Sequence, residues 1–325
     1  MQPKKNIAIL AGGFSQESHI SEKSGKTILK HINRNLYNPT LVHITEVGWM
    51  AEVDGEVYPI DRNDFSFYQA PHKISFDGVF MMVHGTPGEN GLLQGYFDLL
   101  GIPYSTGGVL NTSVTFNKGL TTTLLRARGF NTANSILLRS TDHYSATRVL
   151  REIGLPCFVK PNEGGSSFGI AKVKKEDELH RAIDRALEVD EEVIIESFLD
   201  GAEISCGVIP WQGLITPLPL TEIRTENEFF DYAAKYEGKS EEITPAPISD
   251  FLKREIHRIA EDIYHIMNCK GVIRIDFKLV NDRPHIIEVN TVPGFSEASI
   301  VPQQLAEAGI SIQDMITSVL QQVMD

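Results

Sequence analysis

The chain of 325 residues is 42% hydrophobic and 22% charged, which predicts a multidomain globular protein. Its formal net charge of −13 argues against duplex nucleic acid as a partner, because a phosphate-binding surface needs many unpaired cations. The cysteines, Cys157, Cys206 and Cys269, are widely spaced in apolar surroundings, a pattern that favours reduced core thiols over disulfides or a metal site.

The N-terminus predicts a strand, a glycine turn and a helix. The apolar run at 6–11 (NIAILA) ends at Gly12 and Gly13, and Ser15 is expected to cap a helix that begins near Gln16. The run is too short for a signal peptide, and no window of the chain has the length of a membrane span. We therefore expect a cytoplasmic protein without a membrane partner.

Two more strands are expected nearby, at 41–45 (LVHIT) and 78–83 (GVFMMV). The second leads into the turn HGTPGENG, which begins at His84, and then into the helical pattern LLQGYFDLLG. Strands that alternate with helices predict a parallel sheet. Ligands bind at the carboxyl ends of such strands, so both glycine-rich turns should face one crevice.

The remaining chain predicts two further units. Short runs (SILL, PCFVK, FGIAKV and EVIIESF) and a helix from about Glu176 to Leu187 indicate a mainly antiparallel α+β lobe. A last unit starts near Gly201 and contains GVIRIDFKLV, PHIIEVN and two terminal helices. With a boundary after Tyr104, the expected domains are 1–105, 106–200 and 201–325.

A Gly/Ser-rich loop (GGSS, 164–167) lies in a predicted hairpin between Lys160 and Lys172. Glycines let backbone N–H groups point at an anion and serine hydroxyls add donors, so the loop suits phosphate. The alternative is an ordinary mobile surface hairpin. The segment 165–169 also fits the hydrolase pattern G-x-S-x-G, but a strand is expected after it, whereas a nucleophile elbow requires a helix.

A second hairpin places charged residues on one surface. Strand alternation in VIRIDFKLV puts Arg274, Asp276 and Lys278 on one face, and HIIEVN does the same for Glu288 and Asn290. Asp276 can oppose Glu288 if the connecting loop has an odd number of residues or the ladder contains a bulge. Carboxylates with an amide oxygen are the ligands that Mg²⁺ prefers, and the alternative is a polar face balanced by Arg274.

Seven motifs follow one another along the chain: GGFSQESHIS (12–21), HGTPGENGLLQG (84–95), VKPNEGGSSFGI (159–170), ESFLDGAEIS (196–205), DYAAKY (231–236), RIDF (274–277) and EVNTVPGF (288–295). In this order they resemble the ATP-grasp superfamily and, within it, the D-alanine–D-alanine ligase family, over nearly the whole chain. The resemblance implies a mixed α/β and α+β fold class. An N-terminal Rossmann-like parallel-sheet domain would precede a two-lobed ATP-grasp fold.

The same resemblance implies the cofactors and their ligands. ATP and two Mg²⁺ ions, or Mn²⁺ in their place, are the expected cofactors. The residues implied for the nucleotide are Lys118, Lys160, Ser166, Ser167, Glu196, Phe198, Leu199, Glu203 and Lys235. The residues implied for the metal are Asp276, Glu288 and Asn290.

The implied activity is the joining of two D-alanine molecules through an acyl phosphate, by a homodimeric enzyme. The implied catalytic residues are Glu17, Ser166, Tyr236, Arg274 and Gly294. The implied substrate contacts are Glu17, His84, Arg274, Gly294, Ser299 and Ile300. A Lys-Tyr pair at 235–236 goes with a dipeptide product in this family, which disfavours a hydroxy-acid product.

Three other functions were weighed. Another ATP-grasp ligase would join a different amino or hydroxy acid pair. A non-catalytic ATP-binding regulator would not need the oxyanion-binding Arg274. A nicotinamide-dependent dehydrogenase is disfavoured, because no G-x-G-x-x-G follows the strand at 6–11.

Overall fold

A computed structural model of the chain describes residues 3–165, 168–225 and 240–324. The elements of the N-terminal part are β1 (Lys5–Gly12), α1 (Ser18–His31), β2 (Tyr37–Ile44), β3 (Trp49–Val53), β4 (Glu56–Asp61), β5 (Ser66–Gln69), β6 (His72–Ile74), β7 (Gly78–Met81) and α2 (Leu92–Leu100). The N-terminal sheet has the strand order β6-β5-β4-β3-β2-β1-β7. The three predicted strands are parallel, because β1 pairs in parallel with β2 and β7. Strands β3 to β6 extend the sheet by antiparallel pairs, so the sheet is mixed and not purely parallel.

Helix α1 begins at Ser18, two residues later than predicted. The Ser15 hydroxyl accepts a hydrogen bond from the Glu17 N–H (3.2 Å) and donates one to the His84 carbonyl (2.9 Å). Ser15 therefore holds a turn ahead of the helix, and Glu17 occupies the N-cap position. The expectation that Ser15 caps a helix from Gln16 was wrong.

The middle part forms an antiparallel sheet of order β10-β9-β11-β8, as predicted. Helices α3 and α5 were not predicted, because α3 is rich in β-branched residues and α5 is only two turns long. The elements here are α3 (Val109–Phe116), α4 (Lys118–Ala127), β8 (Ser135–Arg139), α5 (Ala146–Ile153), β9 (Cys157–Pro161), β10 (Ala171–Val173), a 3₁₀ turn (Glu176–Glu178), α6 (Leu179–Leu187) and β11 (Glu192–Ser197).

The C-terminal part has a sheet of order β15-β14-β12-β16-β17, with β13 beside β12. No helix within 3–165, 168–225 or 240–324 is long and apolar enough to cross a membrane. The elements are β12 (Ala202–Trp211), β13 (Leu214–Pro217), β14 (Thr221–Thr225), β15 (Ser240–Ile243), α7 (Asp250–Ile266), β16 (Ile273–Val280), β17 (Arg283–Asn290), α8 (Ile300–Glu307) and α9 (Ile312–Met324).

One hydrophobic cluster joins the two ends of the chain. Residues 7–11 of β1 are fully buried, which explains their continuous apolar sequence. The same cluster contains Leu305 of α8 and Met315 and Val319 of α9. The N-terminal sheet is thereby packed against the C-terminal helices, which brings distant segments to one crevice.

All three cysteines are free and buried, as predicted. Burial raises the pKa of the Cys157 thiol to about 11 and that of Cys269 to about 12, and it also raises the pKa of Cys206. These thiols are structural members of the core.

Candidate active site

A cavity of about 690 Å³ lies where the three parts of the chain meet. Every predicted site residue that the structure describes lines it. Ser166, Ser167, Lys235 and Tyr236 lie outside the described residues. The lining residues among those predicted are Glu17, His84, Lys118, Lys160, Glu196, Phe198, Leu199, Glu203, Arg274, Asp276, Glu288, Asn290, Gly294, Ser299 and Ile300.

The turns that follow β1 and β7 are joined at one edge of this cavity. The Phe14 N–H donates to the Thr86 carbonyl over 2.9 Å, beside the bond from Ser15 to His84. The prediction that both turns face one crevice is confirmed. Glu17 follows directly and lines the cavity from the first turn of α1.

His84 links the N-terminal part to the turn after β17. Its Nδ1 lies 2.7 Å from the Val292 carbonyl oxygen, and its Nε2 lies 3.0 Å from the Ser24 hydroxyl. Because a carbonyl only accepts, these partners assign the proton to Nδ1 and make Nε2 an acceptor. Burial lowers the pKa of His84 and outweighs the nearby charge of Glu17, so the ring is neutral.

Glu89 connects the same two segments, and sequence reasoning did not single it out. Its Oε2 accepts from the Gly85 N–H (2.8 Å) and its Oε1 from the Val292 N–H (3.1 Å). Burial raises the pKa of Glu89 to about 8, with Glu17 adding to the effect and the two backbone bonds opposing it. Glu89 is visible in the motif HGTPGEN, but nothing in that motif shows that the carboxyl is buried.

The first residues of the Gly/Ser-rich loop are tied to the start of α4. Asn117 accepts from the Leu120 N–H (3.0 Å) as the helix cap and donates to Glu163 (3.0 Å). The Lys118 ammonium donates to the Gly164 carbonyl over 2.8 Å. Two neighbouring residues of α4 thus fix the point at which the loop leaves β9.

The loop comes very close to Glu17. A Cβ atom placed on Gly165 would lie 2.3 Å from Oε2 of Glu17, so a larger residue fits only if Glu17 moves. Gly164 has a φ of +121°, a backbone conformation that residues with a side chain rarely adopt, although no heavy atom of the described residues lies within 4 Å of the position its Cβ would take. The two glycines therefore serve different needs, one for space and one for backbone conformation.

A buried ion pair lies in the middle sheet. The Lys160 ammonium is 2.7 Å from Oε2 of Glu196, and their side chains are only 14% and 9% exposed. Burial alone would lower the pKa of Lys160, but the charges of Glu196 and other acids outweigh it and raise that pKa. The rings of Phe158 and Phe198, with centroids 6.0 Å apart, add apolar surface beside the pair.

The hairpin of β16 and β17 (residues 273–290) has the predicted register. Its two-residue turn, Asn281 and Asp282, has positive φ angles of 50° and 58°. A turn with an even number of residues requires a bulge, and the register shifts directly after Asp276. Asp276 is therefore paired with Glu288, while the extra residue, Ile287, also lines the cavity.

The polar side chains of this hairpin form one cluster. Arg274 binds Asp276 through Nε (2.9 Å to Oδ1) and Nη2 (2.7 Å to Oδ2). The Asn290 amide lies 3.1 Å from Oδ2 of Asp276 and 3.3 Å from Oε1 of Glu288. The Ser205 hydroxyl also donates to Asp276.

This cluster fits a divalent cation. Exchange of the Asn290 amide oxygen and nitrogen would turn its oxygen towards Oδ2 of Asp276 and Oε1 of Glu288, which gives three neighbouring oxygen donors. The set contains two carboxylates and an amide. The described ranges hold no group of three or more His, Cys, Asp or Glu side chains that could hold a metal ion, so this set depends on the Asn290 amide as its third ligand.

The opposite end of the cavity is formed by the turn before α8. Ser299 occupies the N-cap position of this helix without a side-chain capping bond, and its hydroxyl instead accepts from the Ser296 N–H over 3.0 Å. Gly294 and Ile300 flank the same turn. Glu242 of β15 also lines the cavity here, a position that no sequence pattern indicated.

Known proteins resemble this chain along nearly its whole length. The family model described as the N-terminus of D-ala D-ala ligase matches residues 6–107, and that of the C-terminus matches 124–321. A D-alanine–D-alanine ligase of Flavobacterium johnsoniae is 46% identical to this chain, and the alignment covers 98% of each protein. The ligase of Phocaeicola vulgatus is 43% identical over 98% of this chain and 99% of its own.

Solved structures have the same fold. The D-alanine–D-alanine ligase from Coxiella burnetii aligns with a TM-score of 0.87 at 28% identity, over 99% of this chain and 94% of that one. The VanG D-Ala:D-Ser ligase from Enterococcus faecalis aligns with a TM-score of 0.86 at 29% identity, over 98% of this chain and 99% of that one. The D-alanine–D-alanine ligase from Bacillus anthracis in complex with ATP aligns with a TM-score of 0.79 at 25% identity, over 98% of this chain and 96% of that one.

Proposed function

The chain belongs to the D-alanine–D-alanine ligase family, and we propose that it joins two D-alanine molecules to D-alanyl-D-alanine with conversion of ATP to ADP and phosphate. The dipeptide serves the synthesis of peptidoglycan precursors. One observation carries the proposal: the described residues that the family resemblance assigns to nucleotide, metal and both substrates all line one cavity. These residues come from every part of the chain, so their convergence depends on the whole fold.

The nucleotide would lie between the middle and C-terminal sheets. Lys118 and Lys160 supply positive charge for the phosphates, and the ring of Phe198 supplies apolar surface for adenine. The anchored start of the GGSS loop supports a role in covering the phosphates. The further nucleotide contacts proposed are Glu196, Leu199 and Glu203, with Ser166, Ser167 and Lys235 from outside the described residues.

Asp276, Glu288 and Asn290 would hold Mg²⁺, or Mn²⁺ in its place, because they combine two carboxylates with an amide. The bound cation supplies neutralisation of phosphate charge during phosphoryl transfer. Arg274 holds Asp276 in place from the same strand, through two hydrogen-bonded nitrogens. The strand register fixes the spacing of all four side chains.

The substrates would bind at the end of the cavity near α1 and α8. Glu17 would bind the ammonium of the first D-alanine, with Ser166 and Tyr236 as partners and His84 beside them. An amine does not displace oxide from a carboxylate, so that carboxylate first receives the phosphoryl group of ATP. The amine of the second D-alanine then attacks, and phosphate leaves.

Arg274 and the Gly294 backbone would stabilise the oxyanion that forms in this attack. Ser299 and Ile300 would bind the carboxylate of the second D-alanine, and their position at the N-terminus of α8, where Ser299 makes no side-chain capping bond, supports that placement. Exclusion of water from the site would protect the acyl phosphate from hydrolysis.

The division into 1–105, 106–200 and 201–325 remains our proposal for the domains. It is supported by the strands, which fall into separate sheets within these limits. Leu125 of α4 nevertheless packs in the C-terminal hydrophobic cluster, so the start of the middle domain contacts both lobes.

We also propose that the enzyme is a cytoplasmic homodimer. Dependence on ATP supports the cytoplasm, and the buried reduced cysteines are compatible with it. The dimer rests on the family resemblance. Light scattering of the purified protein at several concentrations tests it, with a mass of twice 36.2 kDa expected.

A ligase with another second substrate is the alternative that an observation favours, because the VanG D-Ala:D-Ser ligase has the same fold. The test is phosphate release from ATP and Mg²⁺ with D-alanine, L-alanine, D-alanine plus D-serine, or D-alanine plus D-lactate, with products identified by mass. Release with D-alanine alone and formation of the D-alanyl dipeptide is expected. Tight ATP binding without phosphate release on addition of any of these acids would instead indicate a non-catalytic ATP-binding regulator.

A further inference from the structure

Glu242 is an acidic residue of the cavity that the proposed reaction leaves without a role. It lies on β15, at the edge of the C-terminal sheet, and is partly buried. Strand pairing aligns it with Ile223 and Glu203, and Glu203 in turn with Lys278. Directly opposed residues point to the same side of a sheet, so Glu242 shares the face that carries Arg274 and Asp276.

A single residue of α8 holds this carboxylate beside the turn at the second-substrate end. The Gln303 amide donates to Oε2 of Glu242 over 2.6 Å. The same nitrogen lies 2.9 Å from the carbonyl of Ala298, the residue before Ser299. The carboxylate is therefore connected to the segment that would bind the second D-alanine carboxylate.

A carboxylate held at this end of the cavity offers an acceptor to a cationic ligand. Burial raises the pKa of Glu242 and so disfavours its charged form, while the bond from Gln303 and the positive charge of Arg274 favour that form. An ammonium group placed in this part of the cavity would meet an acid already oriented by Gln303. A neutral hydroxyl at the same point would gain much less, because hydrogen bonds between charged partners are the stronger ones.

We infer that Glu242 binds the ammonium group of the second substrate and thereby selects an amino acid over a hydroxy acid. The substrate carboxylate would lie at Ser299 and Ile300, and its ammonium group would face Glu242. This assignment rests on the proposed ligase function and specifies the substrate class accepted at its second subsite. The family resemblance connected that selectivity with the pair Lys235 and Tyr236.

The test compares Glu242→Gln with the unchanged enzyme in a mixture of limiting D-alanine and excess D-lactate, with ATP and Mg²⁺. Glutamine can still accept the hydrogen bond from Gln303, so the substitution removes charge with little change in shape. The ratio of D-alanyl-D-alanine to D-alanyl-D-lactate, measured by mass, should fall about tenfold or more, as for loss of a hydrogen bond to a charged group. A ratio within about twofold of the unchanged enzyme would overturn the inference.

Glu241→Gln is the matched control, because Glu241 is the adjacent acid, is exposed and pairs loosely with Arg224 at 3.9 Å. Its product ratio should stay unchanged, and a shift equal to that of Glu242→Gln would show a general charge effect and overturn the inference. Loss of both products in folded Glu242→Gln, with ATP binding retained, would also overturn it, since ammonium recognition spares the hydroxy acid.

Gln303→Leu provides a second test if Glu242→Gln does not fold. It keeps the Glu242 carboxylate but removes the hydrogen bond that orients it, so we expect a smaller decrease in the ratio of dipeptide to D-alanyl-D-lactate. An unchanged ratio in that variant contradicts the inference. The proposed function is judged separately, because it fails if the unchanged enzyme makes no dipeptide from D-alanine.

Discussion

Two antiparallel hairpins supply charge to the same cavity in different ways. In the metal hairpin (β16–β17, 273–290), charged residues sit within the strands, and ladder register fixes their spacing. In the phosphate hairpin (β9–β10, 157–173), the strands supply Lys160, whereas the glycines lie in the connection and are anchored at its start by α4. Under the proposed assignments, the metal ligands that need fixed geometry lie within strands, and the segment that covers the phosphates is a loop.

The largest expected effect tests the buried pair of the phosphate hairpin. Lys160→Met leaves Glu196 buried without its partner, which should lower the free energy of unfolding by about 3–5 kcal/mol. ATP affinity should fall as well, and chemical denaturation with ATP titration measures both. The double variant Lys160→Met/Glu196→Gln should regain much of the stability but not the affinity. Unchanged stability of the single variant would mean that the pair contributes nothing.

The metal hairpin is tested by removal of its arginine. Arg274→Met should lower kcat about 100- to 1000-fold, because the oxyanion loses a donor and Asp276 loses its partner. Steady-state kinetics at saturating ATP and Mg²⁺ measures the effect. Lys278→Met is the control on the same strand face, where the ammonium pairs with Glu203 at 3.0 Å. A kcat loss as large in the control would remove the special role of Arg274.

A pH experiment tests the contact between the end of the metal hairpin and the N-terminal turn. The pKa of Glu89 is raised from 4.5 to about 8, so the folded state retains a proton that the unfolded state releases. The stabilisation that the protonated Glu89 carboxyl contributes is fully present below pH 4.5, and it is lost as the pH rises towards 8. Between pH 6.5 and 8, the free energy of unfolding should fall by up to about 1.4 kcal/mol per pH unit.

Glu89→Gln should remove this decrease of the free energy of unfolding with pH. His43 contributes to the pH dependence of both proteins, because Glu22 and Glu52 raise its pKa against the effect of burial. The difference between the two stability profiles therefore isolates Glu89. Parallel profiles over this range would show that its carboxyl is ionised throughout.

The smallest expected effect separates the two glycines of the phosphate hairpin. Gly165→Ala should displace Glu17 and raise the KM for D-alanine, because the added carbon would lie 2.3 Å from the carboxylate. Gly164→Ala should cost stability by about 1 kcal/mol through its φ of +121°, with little change in KM. Kinetics and denaturation of both variants give the comparison. Equal KM values would contradict the proximity of the loop to Glu17.

Sequence reasoning predicted the metal hairpin well because its information is local. Alternation along the strands predicted that Asp276 and Glu288 can oppose each other only with an odd-numbered loop or a bulge, and the structure has the bulge. The parallel strands were equally clear, since burial on both faces leaves a continuous apolar run. The start of α1 was misplaced by two residues, because Ser15 bonds to His84, 69 positions away, in addition to its own turn.

The features that sequence reasoning missed depend on distant contacts. Strands β3 to β6 are short and mostly half-exposed, so they carry little periodicity. Glu89 and Glu242 resemble ordinary surface acids in sequence. Their burial comes from Val292 and Gln303, which lie 203 and 61 positions away.

Phosphorylation of the first D-alanine's carboxylate should precede formation of the peptide bond. The decisive measurement uses D-alanine that carries ¹⁸O in both carboxylate oxygens, incubated with ATP, Mg²⁺ and the enzyme. Each phosphate released with dipeptide should contain one ¹⁸O atom, transferred from the carboxylate. Dipeptide formation with unlabelled phosphate in normal water would contradict an acyl-phosphate intermediate.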